Sequence, residues 1–350
     1  MTKQRKQDHL ETCLQEKVET GSSGFDSYHF THQALPEINF DEINLSCQFL
    51  KKKLNYPILI SSMTGGTTKA KTINLNLAQT AQKLRIAMAV GSQRIAIEKP
   101  PIASTFQIRK VAPNIVLLSN LGAVQLNYGF GIKECRQAIK MIGADGLVFH
   151  LNPLQEVIQP GGNKNFSNLL KKIKKITAQI KIPVIVKEVG CGISQKTARS
   201  LLNAGIKTID VSGQGGTSWA LIESSRRKKN KQLGKVFSQW GIPTAEAITE
   251  CNKIKELTII GSGGIRTGID MAKALILGAD IVGIALPLLK PATKSARAVE
   301  EKIKSLIQEL KITMFCLGVK NIKELKSLEL SAFRQTPTRQ LRPHHPLLQK

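Results

Sequence analysis

Short apolar runs recur along most of the chain, and segments of mixed polarity separate them. We interpret eight of these runs as β-strands, at Pro57–Ser61, Ile86–Val90, Ile115–Ser119, Gly146–His150, Pro183–Glu188, Thr208–Ser212, Thr258–Ser262 and Ile281–Ala285. Most of the runs are continuously apolar and do not alternate between apolar and polar residues. Such strands are typical of a parallel sheet that is covered on both faces.

The segments between the runs place apolar residues at helical spacing. They read TINLNLAQTAQKL, GIKECRQAIKMI, FSNLLKKIKKITAQI, SQKTARSLLNA, TAEAITECNKI and GIDMAKALIL. Gly143, Gly205 and Gly278 stand between a helix and the next strand, where a left-handed glycine commonly ends a helix. This alternation predicts an α/β fold of the (β/α)8 or TIM barrel type. A doubly wound parallel sheet is the alternative, although the chain has no Rossmann glycine fingerprint.

The chain divides into three predicted parts. Residues 1–55 are expected to form an N-terminal arm and extension packed on the barrel, and residues 56–333 the barrel itself. Residues 334–350 are expected to be a flexible, proline-rich tail. The polar stretch SSRRKKNKQLGKVFSQWGIP follows the sixth strand, and we interpret it as an inserted loop at the barrel mouth.

Composition indicates a cytoplasmic protein without a membrane span. Hydrophobic residues make up 41% of the 350 positions, but no apolar run approaches the roughly 18–20 residues that a spanning helix needs. The polar N-terminus MTKQRKQDHLE has no apolar signal-peptide region. The six cysteines stand singly, without C-x-x-C or zinc-ligand spacing, so we expect reduced thiols and no structural metal.

The formal net charge of +26 makes nucleic-acid binding an alternative function. Basic residues cluster at Lys51–Lys53, Lys171–Lys175 and Arg226–Lys231, and the second cluster lies on a predicted amphipathic helix. Aromatic residues are 5% of the chain and do not interleave with these clusters, so base-stacking platforms are not evident. The pattern favours a basic surface that attracts anions over a nucleic-acid partner.

Polar or glycine-rich stretches follow every predicted strand. In chain order they are SSMTGG, GSQR, NLGA, HLNPLQE, KE, SGQGGTSW, GSGGIR and ALP. In a (β/α)8 barrel the carboxyl ends of all strands meet at one mouth, which carries the active site. The joint pattern therefore predicts a site at this mouth.

Two of these stretches are suited to phosphate. GSGGIRTGIDMAKAL follows a strand and opens a helix, so its glycines let a phosphate approach backbone N–H groups at the positive helix end. Arg266 can add a charge-assisted hydrogen bond. GQGGTSW offers further N–H groups and the Thr217 hydroxyl. For each motif the alternative is a tight turn needed only for packing.

HLNPLQE and VIVKEVG carry the remaining candidate chemistry. Glu156 is the natural ligand for a hard cation such as Mg²⁺, and His150 and Asn152 can donate to phosphate oxygens. Gln155 does not titrate, so it is expected to position a reacting group. Lys187 lies in an apolar run and therefore needs an anionic partner or a shifted pKa. The N1–C2=O edge of a flavin would suit it, whereas adjacent Glu188 points to the opposite face of the strand.

Together these motifs resemble the type 2, FMN-dependent isopentenyl-diphosphate delta-isomerase family. The resemblance covers nearly the whole chain and includes RKQDHL, SSMTGG, GSQR, HLNPLQE, VKEVG, GQGGTSWA, WGIPTAEA and GSGGIRTGIDMAKAL. It implies an enzyme of isoprenoid biosynthesis that interconverts isopentenyl and dimethylallyl diphosphate. It also implies reduced FMN as the acid/base, NADPH or NADH as its reductant, Mg²⁺, and a homotetramer or homo-octamer.

The resemblance also implies roles for individual residues. The residues expected to hold FMN are Ser61, Ser62, Met63, Thr64, Ser92, Asn120, Lys187, Ser212, Thr217, Gly263, Gly264, Ile265, Arg266, Ala285 and Leu286. The residues expected to face the substrate are Arg5, Lys6, Ser92, Gln93, Arg94, His150, Asn152 and Gln155, with Glu156 on Mg²⁺. The predicted catalytic residues are Gln155, as proton relay or positioning group, Lys187 and His150. Whether Arg5 and Lys6 close over their own barrel or a neighbour's is left open.

Within enzymes, the alternative is an FMN-dependent hydroxy-acid dehydrogenase or oxidase on the same barrel. Such barrels usually carry an H-G-G-R element whose histidine is the base, and this sequence has none. Neither SGQGGTSW nor GSGGIR contains a histidine. The basic stretch after the sixth strand departs from the family pattern and bears on assembly, not on the chemistry.

Overall fold

The computed structural model describes residues 2–226 and 232–332. At its centre eight parallel strands form a closed barrel. In chain order the barrel strands are β1 (Ile58–Ile60), β2 (Ala87–Ala89), β3 (Leu117–Gly122), β4 (Gly146–His150), β5 (Val184–Lys187), β6 (Thr208–Asp210), β7 (Thr258–Ser262) and β8 (Ile281–Ile284). The predicted barrel and its eight strands are confirmed, with most strands a residue or two shorter than expected.

Helices surround the barrel and extend beyond it. They are α1 (Thr2–Gln15), α2 (Thr68–Leu84), α3 (Arg94–Glu98), α4 (Ile132–Ile142), α5 (Pro153–Ile158), α6 (Leu169–Thr177), α7 (Gln195–Asn203), α8 (Trp219–Ser225), α9 (Gln232–Val236), α10 (Thr244–Asn252), α11 (Gly268–Ile276), α12 (Leu286–Lys294), α13 (Ala296–Cys316) and α14 (Ile322–Ser327). Short 3-10 helices cover Phe25–Ser27, Phe40–Glu42, Pro100–Thr105 and Ala123–Asn127. In the described chain, none of the helices has the length and apolarity needed to cross a membrane.

The stretch after the sixth strand differs from the predicted loop. Trp219–Ser225 and Gln232–Val236 are helical there, and Ser224 and Gly234 are buried against each other. Residues 227–231, within the same predicted loop, lie outside the described residues, as does the predicted tail 334–350. The helix α13 was not expected either, because it follows the last predicted strand, beyond the strand–helix alternation.

Amphipathic patterning explains how the helices pack. In α6 the side chains of Leu169, Ile173 and Ile176 are buried, whereas the lysines between them are exposed. This arrangement confirms that the lysine cluster Lys171–Lys175 is a solvated helix face. Gly143 ends α4 with a φ of 60°, the left-handed conformation that turns the chain into β4 without a Cβ penalty.

A β-hairpin closes the barrel at the end opposite the mouth. Its strands, Cys47–Phe49 and Lys52–Leu54, pair antiparallel. Phe49 and Leu54 are 2% exposed and pack with apolar residues that fill the barrel interior, such as Leu118 and Ile281. Lys52 Nζ donates to Asp145 Oδ1 at 2.7 Å, just before β4 begins. Among the described residues the barrel interior is therefore a packed core, which leaves the mouth as its open end.

Strand register brings polar residues into one row at the mouth. Gly122 of β3 is opposite His150 of β4, which is opposite Lys187 of β5, which is opposite Asp210 of β6. Neighbours in such a row point to the same side of a sheet. Register alone thus places an imidazole, an ammonium and a carboxylate side by side.

Candidate active site at the barrel mouth

One large cavity opens at the carboxyl ends of the strands. Loops after each of the eight strands contribute to its lining, and α1 covers it from above with Arg5, Lys6, His9, Leu10 and Cys13. Besides His9 Nε2, which lies 2.9 Å from Glu223 Oε1, three buried polar atoms at this cavity have no hydrogen-bond partner in the described chain: Ser61 Oγ, Gln125 Oε1 and Asn152 Oδ1. Buried polar atoms are normally satisfied, so these three indicate that a polar ligand belongs in the cavity.

The two glycine-rich loops after β6 and β7 meet backbone to backbone. A Cβ on Gly216 would lie 2.7 Å from the Gly264 nitrogen, and a Cβ on Gly263 would lie 2.6 Å from the Gly213 nitrogen. Gly263 and Gly264 have φ of 107° and 71°, a region that side chains rarely allow. In the described chain the N–H groups of Gly263, Gly264 and Ile265 donate to no protein atom, so they remain available to an anion.

The N-terminus of α11 makes a different contribution from the one expected. The N–H groups of Arg266 and Thr267 donate to Asp270 Oδ2 at 3.0 and 2.9 Å. The N–H of Gly268 donates to Glu309 Oε2 at 2.7 Å. Side-chain carboxylates therefore cap this helix already, and the free N–H groups belong to the preceding loop.

A hydrogen-bonded chain links β1, β3 and β4. Asn120 Nδ2 donates to Ser62 Oγ at 2.9 Å, and Asn120 Oδ1 lies 2.8 Å from His150 Nδ1. With this amide orientation, a neutral His150 carries its proton on Nδ1 and leaves Nε2 as an acceptor. Burial, with the nearby charges of Lys187 and Lys6, lowers the pKa of His150 to about 3. The imidazole is therefore neutral at pH 7.

Lys187 lies in the same row and is 7% exposed. Its ammonium donates to the backbone oxygen of Glu188. The Glu188 carboxylate turns away and accepts from the N–H groups of Val189 and Gly190 at 2.6 and 2.8 Å, as the strand alternation predicts. Asp210 supplies the anionic neighbour: burial raises its pKa, and the charge of Lys187 opposes that rise.

Glu156 lies in α5, directly after β4, and is 6% exposed. Its carboxylate accepts from Asn152 Nδ2 at 3.1 Å, from Gln159 Nε2 at 3.3 Å and from the Asn163 N–H at 2.6 Å. The neighbouring Asn152 Oδ1 is the unpartnered oxygen described above. Carboxylate and amide oxygens together suit a hard cation. In the described chain no three His, Cys, Asp or Glu side chains cluster as a complete protein-only metal site, so a cation here would share its shell with a ligand or water.

Gln155 is fixed between two partners. Its Oε1 accepts from Asn152 Nδ2 at 3.0 Å, and its Nε2 donates to Glu223 Oε1 at 2.8 Å. Burial would raise the pKa of Glu223, but the hydrogen bonds from His9 and Gln155 and the charge of Arg226 lower it overall. The carboxylate that orients Gln155 is therefore ionised.

Helix α1 is attached over the mouth of its own barrel. His9 Nε2 lies 2.9 Å from Glu223 Oε1, and Arg226 Nε donates to Asp8 Oδ2 at 3.1 Å. Lys6 Nζ donates to the Ser92 carbonyl at 2.9 Å. Burial and the charge of Arg5 lower the pKa of Lys6 to about 7. An arriving anion would restore the charged form of this lysine.

All but one of the predicted site residues line the cavity. Gln93 is the exception, because its fully buried amide donates to the Ala138 carbonyl at 3.0 Å and accepts from the Asn120 N–H at 3.0 Å. The structure therefore places Gln93 behind the residues that line the cavity, where it holds Asn120. Arg94 lines the cavity and pairs with Glu98 at 2.6 Å.

Sequence reasoning missed several residues at the site. His9, Gln125, Gln159, Asp210, Trp219 and Glu223 are either on the cavity wall or in direct contact with predicted residues. Asp210 ends an apolar strand, a signal that could have identified it. Glu223 sits in an ordinary helix, WALIESS, and only the folded contact with Gln155 reveals it.

Comparisons with known proteins agree with this geometry. A family model described as FMN-dependent dehydrogenase matches residues 150–332. Among solved structures, a flavocytochrome b2 variant with sulfite bound is 18% identical, with a TM-score of 0.69 over 98% of this chain and 89% of that one. A lactate oxidase from Pediococcus acidilactici is 18% identical, with a TM-score of 0.66 over 93% and 87%. At these identities the structures support the fold alone.

Fold and site thus define an FMN-type (β/α)8 barrel. Isopentenyl-diphosphate delta-isomerase from Nostoc sp. is 50% identical over 330 residues, 93% of this chain and 94% of the relative. The protein of the same name from Rickettsia africae is 50% identical over 331 residues, 93% and 97%. The chain belongs to the isopentenyl-diphosphate delta-isomerase family.

Proposed function

We propose that this isomerase interconverts isopentenyl and dimethylallyl diphosphate by moving a proton across the allylic system, with reduced FMN as the acid/base. The observation that carries the proposal is that two groups of residues with different binding chemistry face the same cavity. A free N–H cradle at Gly263–Ile265 and an oxygen-rich cluster around Glu156 face the same cavity, with Lys187 also on its wall. The first suits the phosphate of a flavin nucleotide, and the second suits a diphosphate with its cation.

The residues present fit FMN. The cradle after β7 would hold its phosphate, with Arg266 as the cationic partner. The unpartnered Ser61 hydroxyl and the Ser62–Asn120 pair offer hydrogen bonds to the ring. Lys187 is a buried cation that would stabilise the anionic edge of the reduced ring. When bound, reduced FMN would supply a proton donor near N5.

The part of the mouth around Glu156 would bind the diphosphate. Arg5, Lys6 and Arg94 surround it with positive charge, and His150 and Asn152 lie beside them. Glu156 and Asn152 Oδ1 would hold Mg²⁺, which would supply positive charge to neutralise the diphosphate. Contacts to this unreactive end orient the alkene, so remote binding energy lowers the barrier at the reacting carbons.

Gln155 and its partners would position the group that takes part in the second proton transfer of the allylic shift. The Glu223 carboxylate and the Asn152 amide fix both ends of the Gln155 side chain. An amide does not ionise at neutral pH, so Gln155 positions a proton or a water and does not act as a free base. Helix α1 covers the cavity and excludes bulk water from a carbocation-like centre.

The proposal also covers the reductant of the FMN, the cellular location and the oligomeric state. NADPH or NADH would reduce the FMN, and the enzyme would act as a cytoplasmic homotetramer or homo-octamer. Residues 1–55 would serve as the cover and base of a barrel spanning residues 56–333. The alternative of a hydroxy-acid dehydrogenase requires a base near the flavin, and His150, with a pKa of about 3, is a weak one.

Purified protein tests the proposal directly. The preparation should be yellow, or become yellow with added FMN, and should bleach with NADPH. Under nitrogen with Mg²⁺ the reduced enzyme should convert isopentenyl diphosphate to its isomer. A colourless protein that takes up no FMN would refute the proposal. Turnover of lactate or mandelate with ferricyanide, without isomerisation, would instead favour the dehydrogenase.

A further inference from the structure

The N-terminal arm crosses both glycine-rich loops after α1 ends. The Ser218 N–H donates to the Val18 carbonyl at 2.7 Å, and the Thr20 hydroxyl donates to the Ser238 carbonyl at 2.5 Å. Glu19 and Thr217 form an antiparallel β-bridge. These bonds fix the backbone of Glu19 beside the loop after β6.

The arm also touches the loop after β7. A Cβ on Gly264 would lie 2.8 Å from Ser23 Cβ, and a Cβ on Gly215 would overlap the backbone of Ser23. The Ala245 N–H donates to the Ser23 carbonyl at 2.9 Å. The arm is therefore packed against the phosphate cradle as closely as the two barrel loops are packed against each other.

Glu19 forms an ion pair with Arg266 through Oε1 and Nη2. Arg266 lines the cavity, whereas Glu19 does not. The guanidinium has one other described hydrogen bond, from Nη1 to the Ile265 carbonyl at 2.6 Å. Glu19 thus contacts Arg266 from outside the cavity. This contact restricts the rotamers of the Arg266 side chain before an anion binds, so less conformational entropy is lost when the anion arrives.

We infer that Glu19 is a positioning residue for the cofactor: it holds the Arg266 guanidinium ready for the phosphate of FMN. The inference rests on the proposed function, since it needs the phosphate to bind at the Gly263–Ile265 cradle. The Glu19 side chain is 40% exposed, so solvent screens its repulsion of the phosphate, while its contact with Arg266 is direct. We therefore expect the positioning of Arg266 by Glu19 to outweigh the repulsion between Glu19 and the phosphate.

The test is the dissociation constant of the cofactor-free full-length protein for FMN and for riboflavin, measured by flavin fluorescence quenching. Glu19→Gln should weaken FMN binding about 3- to 5-fold, the range of a partly exposed ion pair. Riboflavin binding should not change, because riboflavin lacks the phosphate. Glu16→Gln removes the same charge from an exposed arm position and should leave both constants unchanged.

A double-variant cycle completes the test. In an Arg266→Gln background, Glu19→Gln should have no further effect on FMN binding. The inference is overturned if Glu19→Gln leaves FMN binding unchanged or tightens it, if riboflavin binding falls in parallel, or if the effect persists without Arg266. If instead the wild-type protein binds riboflavin as tightly as FMN, the placement of the phosphate itself is wrong, and the proposed function fails with it.

Discussion

At the scale of single residues, the site is built from side chains whose hydrogen-bonding groups the protein uses only in part. Asn152 donates through Nδ2 to Glu156 and Gln155 and leaves Oδ1 unused. His150 uses Nδ1, and in the described chain its Nε2 makes no hydrogen bond. Because unused polar atoms in a buried site cost free energy, a ligand that satisfies them gains both affinity and orientation.

Glu156 can be tested by a neutral, isosteric change. Glu156→Gln should raise the Mg²⁺ concentration needed for half-maximal isomerase activity by about 10-fold or more, because the carboxylate charge on the cation is lost. Titration of activity against Mg²⁺ measures this. Glu246→Gln, on the exposed face of α10, is the matched control. Full activity at unchanged Mg²⁺ would remove Glu156 from its assigned role.

Gln155 can be tested without altering cofactor binding. Gln155→Leu should lower kcat by about 100-fold, the loss typical of one preorganised polar group, while the FMN dissociation constant stays the same. Steady-state kinetics and a flavin titration give the two values. Gln107→Leu, at an exposed position that does not line the cavity, should match the wild-type protein. A kcat within a factor of three of wild type would argue against a role for Gln155.

His150 makes a prediction about acid stability. Its pKa is about 3 in the folded protein and about 6.5 in an unfolded chain. Between these values the unfolded chain binds a proton that the folded protein does not, so stability falls as the pH falls from about 6.5 toward about 3. In His150→Gln this loss should be smaller, by up to about 1 kcal/mol per pH unit.

Urea unfolding of cofactor-free protein at pH 6.5, 5.5 and 4.5 measures the effect. His32→Gln, which removes an exposed histidine of the arm, is the comparison. Equal pH slopes for wild type and His150→Gln would show that His150 is protonated in the folded protein.

At the scale of elements, periodicity identified the barrel because each buried strand and each amphipathic helix carries its own local signal. Helix α1, TKQRKQDHLETCLQ, has little apolar periodicity, and packing at the mouth stabilises it. The contact of Glu223 with Gln155 joins α8 to α5, and that of Asp210 with Lys187 joins β6 to β5. Such contacts depend on how elements pack. A single sequence therefore predicts the elements more readily than it predicts which side chains meet between them.

Gln93 illustrates the same limit within one motif. GSQR places it between two residues that line the cavity, Ser92 and Arg94, yet its side chain turns inward to α4. The sequence shows that Gln93 belongs to this loop. The direction of its side chain depends on the backbone conformation of the loop, which the sequence alone does not give.

The hairpin that closes the barrel yields a prediction about stability. Phe49→Ala should destabilise the protein by about 3–5 kcal/mol, because it leaves a cavity among packed interior residues. Guanidinium chloride unfolding measures the loss. The FMN dissociation constant should be unchanged, since the hairpin lies at the end opposite the mouth. Leu35→Ala, at a side chain 75% exposed, should have almost no effect, and a similar small effect for Phe49→Ala would contradict the packing described.

At the scale of the whole molecule, each chain carries all the described groups of its own site. Helix α1 places Arg5 and Lys6 over the same barrel that carries Glu156. The chain as a whole carries a formal net charge of +26, which favours the approach of anions in general. An oligomer would therefore not be needed to complete the cavity as described.

Complementation between subunits tests that arrangement. Lys6→Ala and Glu156→Gln proteins should each have low activity, and mixed oligomers formed by co-expression should stay as low. If arms were exchanged between subunits, some barrels in the mixture would combine a wild-type arm with a wild-type Glu156 and recover activity. Wild-type protein co-expressed with either variant provides the reference for mixing.

The arm has a consequence for biosynthesis. Residues near the start of the chain must meet loops that follow β6 and β7 before the ion pair between Glu19 and Arg266 can form. On a ribosome, the arm emerges first, and seven of the eight barrel strands are synthesised before Arg266 is available to it. If the proposed phosphate site is correct, a nascent chain cannot complete it before the loop after β7 has been translated, so capture of the vitamin-derived prosthetic group would follow that point of synthesis.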